Sequence, residues 1–259
     1  MPAHGVTRRG MFRCLFPEGR DAGGAFPVRS VHPGDDRGAP RRERQRRTVT
    51  ELFDVLDGTG RRTGEVIGRD EAHANGVWHG SFHCLMIYPR EGRPAALFQL
   101  RSATKQIAPG LFDVTVGGHY VSGEDARAAG PREIAEEIGL TVPYAALVPL
   151  GRRIFVHYFT AGVRELEFQD VFFLPLGSRP GRLRLQASEV EAMLELDVQE
   201  GIDLFSGGAA RGTLIGAEGS ERSVQLHPGD FVPCIDNYYL KLLVLARRYQ
   251  NGERTALAI

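Results

Sequence analysis

The stretch from Gly118 to Leu140, reading G-H-Y-V-S-G-E-D-A-R-A-A-G-P-R-E-I-A-E-E-I-G-L, constrains this chain more than any other part of it. It opens on a glycine turn, carries Glu124 six residues later, and ends in Arg132-Glu133-Ile134-Ala135-Glu136-Glu137-Ile138-Gly139-Leu140. On a helix, Glu133 and the Glu136-Glu137 pair are three and four residues apart, so their carboxylates share one face. Like charges stacked in this way repel, and a bound divalent ion removes the repulsion. A solvated acidic helix face is the alternative that R-E-x-x-E-E alone leaves open. Gly130-Pro131 sits just before the cluster, where proline removes one backbone donor and clashes with the carbonyl four residues back. The helix therefore either begins near Pro131, with proline in its first turn, or is kinked there. The face from Glu133 to Glu137 survives in both cases.

Clustered carboxylates with no sulfur or imidazole among them suit a hard ion, Mg²⁺ first and Mn²⁺ next, held jointly by protein carboxylates and substrate phosphates. The whole string resembles the Nudix box, G-x5-E-x7-R-E-U-x-E-E-x-G-U with U apolar. It matches at every fixed position: Gly118, Glu124, Arg132, Glu133, Ile134, Glu136, Glu137, Gly139 and Leu140. The resemblance implies an α/β Nudix fold, a mixed β-sheet sandwiched between α-helices. It also implies a hydrolase that cleaves a diphosphate linkage in a nucleoside diphosphate derivative or a related small organic diphosphate. In that reading Glu133, Glu136, Glu137 and the Gly118 carbonyl hold the metal, Arg132 orients Glu133 by an ion pair, and Glu124 supports the loop and helix. Glu133 is the first candidate for accepting the proton of the attacking water, followed by Glu165 and Glu167.

At 259 residues and 42% hydrophobic, the chain can bury one good core and carry an extension. It has no run of eighteen apolar residues, so no membrane span is predicted. Its three cysteines, Cys14, Cys84 and Cys234, are widely separated and include no C-x-x-C, which argues against a disulfide framework and a structural zinc site. A cytoplasmic enzyme is the default expectation, with a small-molecule diphosphate as its partner and a homodimer compatible with it. The formal net charge of zero hides an asymmetry, because residues 1–48 contain eleven Arg against five Asp plus Glu. That segment is rich in Gly, Pro and Arg and lacks helical or strand period. It is predicted to be a disordered tail, followed by a Nudix domain over residues 49–259. It has no apolar region of the secretory kind. A nucleic-acid role would rest on the basic run Arg41-Arg42-Glu43-Arg44-Gln45-Arg46-Arg47 alone, and a solvated tail is the preferred reading.

The patterns beyond residue 50 alternate strands with a few helices. A hairpin is predicted from Leu52-Phe53-Asp54-Val55-Leu56, the turn Asp57-Gly58-Thr59-Gly60 and Thr63-Gly64-Glu65-Val66-Ile67. The stretch Arg69 to His79 reads as a polar connection holding two histidines. Strands follow over 81–88 and 95–101, residues 111–116 lead into the box, and further strands are expected over 147–159 and 166–174. Ser188 to Met193 and Val198 to Leu204 read as short helical turns, Ser206 to Gly229 as a loop or small hairpin, and Ile235 to Gln250 as a terminal helix packed on the sheet.

From about Glu51 to Asp197 the chain is similar to the Nudix branch containing isopentenyl diphosphate isomerases and related hydrolases. The residues that carry this are Arg69, His73 and His79, then Arg101 and Lys105, Pro109-Gly110-Leu111-Phe112-Asp113, His119, and Glu165 with Glu167. The resemblance implies a second metal site formed by His73, His79, His119, Glu165 and Glu167, and a diphosphate grip formed by Arg69, Arg101 and Lys105. It departs at one place, because the isomerases carry a cysteine two residues before the third histidine and this chain has Gly117. Without that acid/base partner isomerisation lacks one of its two proton-transfer agents. Hydrolysis needs no such group, and a non-catalytic diphosphate-binding module, the other alternative, usually loses box carboxylates that are all present here. His83, on a strand pattern, reads as a structural histidine, and Trp78 as partly buried.

Overall fold

The computed structural model describes residues 51–159 and 162–259, so the tail expected over residues 1–48 lies outside the described residues. An antiparallel hairpin comes first, β1 (Leu52–Leu56) and β2 (Arg62–Gly68), turned at Asp57, whose carboxylate accepts the backbone N–H groups of Thr59 and Arg61. Then follow α1 (Arg69–Asn75), β3 (His79–Arg90), β4 (Arg93–Arg101), β5 (Phe112–Val114), β6 (Val116–His119) and α2 (Ala126–Ile138). The remainder comprises β7 (Val148–Tyr158), β8 (Arg164–Pro175), β9 (Val190–Asp197), α3 (Val198–Phe205), β10 (Ala210–Gly216), β11 (Glu221–Leu226) and α4 (Tyr238–Gln250). From β3 onward the strands form one mixed sheet in the order β11-β10-β9-β4-β3-β8-β7, with β5 paired to β4 and β6 to β3. β3 and β8 run parallel and the other pairs antiparallel.

Strand alternation decides which helix covers which face. On β3, Leu85 and Ile87 enter the layer formed with α3 and α4, while Phe82, Cys84, Met86 and Tyr88 enter the layer formed with α2. Burying each of the larger side chains contributes roughly 1.5–3 kcal/mol, so a one-residue slip of this strand would exchange two packed layers at once. The expected sheet between helices is therefore present, with α2 on one face and α3 and α4 on the other.

The helix α2 starts at Ala126, where the Asp125 side chain accepts the N–H groups of Arg127 and Ala128, and it runs through Pro131. Proline is thus interior, at a cost in isolation of about 3 kcal/mol. Packing offsets this: a Cβ on Gly130 would come within 2.8 Å of the Phe82 ring, so the glycine lets the helix lie close on the sheet. Ile134 and Ile138, one turn apart, are fully buried in that contact.

Two local expectations are corrected, and a third is settled in favour of its hairpin alternative. Arg69 to His79 is not a polar connection; it forms α1 and the start of β3, and both histidines are buried. Residues 190–193 belong to β9 rather than to a helical turn, because Ala192, Leu194 and Leu196 bury at strand period against α3 and α4. The stretch after Ser206 is a hairpin, β10–β11, that extends the sheet. No helix among the described residues is long and apolar enough to cross a membrane.

Candidate active site

A cavity of about 250 Å³ is lined by Glu133, Glu136 and Glu137 of α2, by Gly117, Gly118 and His119 of β6, and by Glu165 and Glu167 of β8. The helix presents its three carboxylates unequally. Glu133 and Glu137, four residues apart, are buried, whereas the Glu136 side chain is about half exposed. Gly118 is needed here for space, since a Cβ would fall inside the Glu133 carboxylate. Arg132 forks onto both oxygens of Glu124 at 2.9 and 2.6 Å and reaches Glu133 at 2.9 Å and Glu136 at 3.1 Å. Glu124 also accepts the Val121 N–H, so one ion-pair network ties the loop to the helix. Burial lifts Glu133 to about 7 against the pull of Arg132, and lifts Glu137 to about 8 against the pull of Lys105. The helix ends at Gly139, which has φ 72° and where a Cβ would meet Arg184 at 2.8 Å, so this glycine serves both a left-handed cap and a close crossing.

Arg69, Arg101 and Lys105 all line the same cavity. Each already has a carboxylate partner: Arg69 with Glu51 at 3.6 Å, Arg101 with Asp113 at 3.4 Å, and Lys105 with Glu189. Arg101 is buried and also donates to the Ile107 carbonyl at 2.9 Å. A phosphate entering here would exchange with these carboxylates rather than meet bare cations.

The structure brings His73 of α1, His79 at the start of β3, His119 at the end of β6 and Glu165 of β8 together, with one ligand atom from each within 4.8 Å of the others. Glu167 stands 3.5 Å from His119 and 3.9 Å from His79. The Nδ1 of His79 donates to the Val77 carbonyl at 2.8 Å, which leaves its Nε2 lone pair free. That Nε2, both ring nitrogens of His73 and Oε1 of Glu165 are buried without hydrogen-bond partners. Orphaned polar atoms converging in this way fit a divalent ion, which would satisfy them all. Burial, with the neighbouring imidazoles, depresses His73 to about 3, and burial depresses His119 to about 4, so both rings are neutral donors. Burial and the adjacent Glu167 push Glu165 up; Glu167, despite its own burial, is held well below the usual carboxylate range by the adjacent Glu165 and His119. Phe53 of β1 is fully buried over this cluster, 4.8 Å from the rings of both His79 and His119. Asp54 next to it accepts the Ser122 hydroxyl and the Gly123 N–H, so the hairpin also holds the box loop.

Several cavity residues escape sequence reasoning. Gln169 continues the alternation Glu165, Glu167 on β8 and donates to Glu167 at 2.8 Å; that period was legible. Arg153 of β7 is buried, donates to Gln169 at 2.7 Å and forks onto Asp236 at 2.8 Å, and its guanidinium lies 3.8 Å from the centre of the Tyr238 ring. His83 lines the cavity and meets the Tyr238 hydroxyl at 3.3 Å, while Trp78 is tilted against Phe168. Glu189, Val232, Pro233, Cys234 and Tyr239 complete the walls, and no motif marks them because only the packing of α4 and of the segment before β9 delivers them.

Comparison with known proteins gives consistent findings. The NUDIX domain family matches residues 77–206. An uncharacterized Nudix hydrolase of Clostridium acetobutylicum is 32% identical over 197 residues, covering 73% of this chain and 93% of that protein. Nudix hydrolase 3 of Arabidopsis thaliana is 31% identical over 158 residues, 58% of this chain but 20% of the plant protein. An isopentenyl-diphosphate Delta-isomerase of Pectobacterium atrosepticum is 30% identical over 125 residues, 48% of this chain and 65% of the isomerase.

Proposed function

The chain belongs to the Nudix family, and on that premise we propose that it is a Mg²⁺-dependent hydrolase of a diphosphate linkage, in a nucleoside diphosphate derivative or a related small organic diphosphate. The observation that carries this reading is the buried pair Glu133 and Glu137, lifted to about 7 and about 8, in a cavity that Arg69, Arg101 and Lys105 also line. Such a pair needs a counter-cation to ionise together, and the oxygen-only donor set suits Mg²⁺ or Mn²⁺. Glu133, Glu136, Glu137 and the Gly118 carbonyl would hold it. His73, His79, His119, Glu165 and Glu167 would hold a second divalent ion, whose orphaned donors are the support for it. When bound, the metal would neutralise charge developing on the leaving phosphate and lower the pKa of the attacking water.

The side chains do the rest. Arg69, Arg101 and Lys105 bind phosphate oxygens, giving up their carboxylate partners to do so. Arg132, locked by Glu124, fixes the Glu133 carboxylate over Gly118. Glu133 is the first candidate to accept the proton of the attacking water, followed by Glu165 and Glu167. The chain is partitioned at about residue 48, with catalysis confined to 49–259.

The isomerase reading has one observation in its favour, Cys234, a thiol on the same cavity. Burial raises its pKa, and Gly117 stands where the isomerases carry cysteine. The experiment is a phosphatase-coupled phosphate-release screen with Mg²⁺ and then Mn²⁺ over nucleoside diphosphate, nucleotide-sugar and prenyl diphosphate substrates, run beside Glu137→Gln, with isopentenyl diphosphate included for product analysis. Metal-dependent release reduced at least ~100-fold in the variant is the expected result. Allylic product without release, or unchanged turnover in a folded variant, would overturn it.

A further inference from the structure

A second cavity, of about 310 Å³, lies away from the carboxylates, on the α2 side of the sheet. Its apolar lining is Tyr88, Leu97, Met193 and Ile215 from the sheet and Leu183 and Leu185 from the segment 177–189, which joins β8 to β9 without regular secondary structure. In size it sits at the lower end of ligand cavities, about 300–1,000 Å³. The charged lining residues are Arg179, Arg182 and Glu221. Arg179 is fully engaged, with Glu221 at 2.9 Å and with the buried Glu195 at 2.8 Å, which in turn takes the Tyr88 hydroxyl and Arg90. Arg182 donates only to the Ala217 carbonyl, at 3.3 Å, and has no carboxylate partner among the described residues. One solvent-exposed guanidinium therefore stands without an acidic partner at the mouth of the cavity.

The same segment reaches the catalytic helix. The Arg184 N–H donates to the Ile138 carbonyl at 3.1 Å and the Gln186 N–H to the Glu137 carbonyl at 2.9 Å, so it closes the C-terminal turn of α2. Its far end supplies Glu189, which holds Lys105 in the catalytic cavity. A strap so placed has one end in each cavity.

We propose that the second cavity binds a medium-chain carboxylate, its head on Arg182 and its alkyl chain among Leu183, Leu185, Leu97 and Met193, and that the bound ligand tightens the strap on the end of α2. A carboxylate is favoured over a phosphate because a single negative charge matches the single guanidinium without an acidic partner, whose planar fork donates to both oxygens. The binding does not depend on the hydrolase reading, because it is measured without substrate or metal.

The test is calorimetric titration of the full chain with octanoate, octanol and acetate, beside Arg182→Gln and the cavity-filling Met193→Trp. Octanoate should bind, octanol and acetate should bind at least about tenfold more weakly, and Arg182→Gln should lose about tenfold in affinity. Met193→Trp should abolish binding; Arg182→Gln, at an exposed position, keeps the test valid if the core variant fails to fold. Hydrogen exchange at the Arg184 and Gln186 amides should slow about tenfold with octanoate bound. Absence of octanoate binding, or equal affinity for octanol, would overturn the site; binding with unchanged exchange at those two amides would overturn the link to α2.

Discussion

Glu137 offers a test in which stability and activity move in opposite directions. Lifting its carboxyl from 4.5 to about 8 means that ionising it inside the fold costs roughly 5 kcal/mol more than in the unfolded chain, at about 1.4 kcal/mol per tenfold change in proton affinity. Relaxation and water penetration around buried ions make the effective penalty smaller than this, and about 2 kcal/mol serves as the working figure. Between those two pKa values the folded chain keeps a proton that the unfolded chain has released, so this contribution to stability is present below about 4.5 and is lost as pH rises towards 8. Gln is neutral throughout, and it can still accept from the Gln99 amide and the Gly117 N–H that face the carboxylate at 3.3 and 3.4 Å. In EDTA, Glu137→Gln should therefore match the parent chain at pH 5 and exceed it at pH 8 by about 2 kcal/mol, or roughly 4–8 °C in Tm for a domain of this size. Adding Mg²⁺ at pH 8 should stabilise the parent and not the variant. Urea unfolding followed by circular dichroism at the two pH values measures the gap. A variant no more stable than the parent at pH 8, or a gap of equal size at pH 5, would refute the argument that burial of an uncompensated carboxylate governs this helix.

Other residues give sharp expectations. Gly118→Ala should lower turnover about 100-fold with an unchanged circular dichroism spectrum, because the new methyl displaces the Glu133 carboxylate; turnover within a factor of three of the parent would count against the placement of Glu133. Gly139→Ala should cost about 1–2 kcal/mol in urea unfolding, the combined price of a positive φ and the Arg184 crossing. His79→Ala should weaken Mn²⁺ binding at the histidine cluster at least about tenfold, read by paramagnetic resonance of free Mn²⁺; unaltered affinity would remove that cluster as a metal site.

The sequence by itself determined the shared face of Glu133, Glu136 and Glu137, because helical period is local. Several strands were legible as well, and the family resemblance supplied Glu165 and Glu167, which the structure places on β8. The tertiary structure decided what period cannot express. His73, His79, His119 and Glu165 come from α1, β3, β6 and β8, and Phe53 of the first hairpin covers them, so His73 and His79, which read as part of a polar connection, became part of a buried polar cluster. Arg153 and Asp236 meet across 83 residues, and the strap joins two cavities through backbone bonds to Glu137 and Ile138 that carry no side-chain signature. The physical reason is the same throughout. Helical and strand periods fix which side chains share a face, whereas desolvation, orphaned donors and cavity walls are properties of faces brought together from different elements, and only packing brings them together.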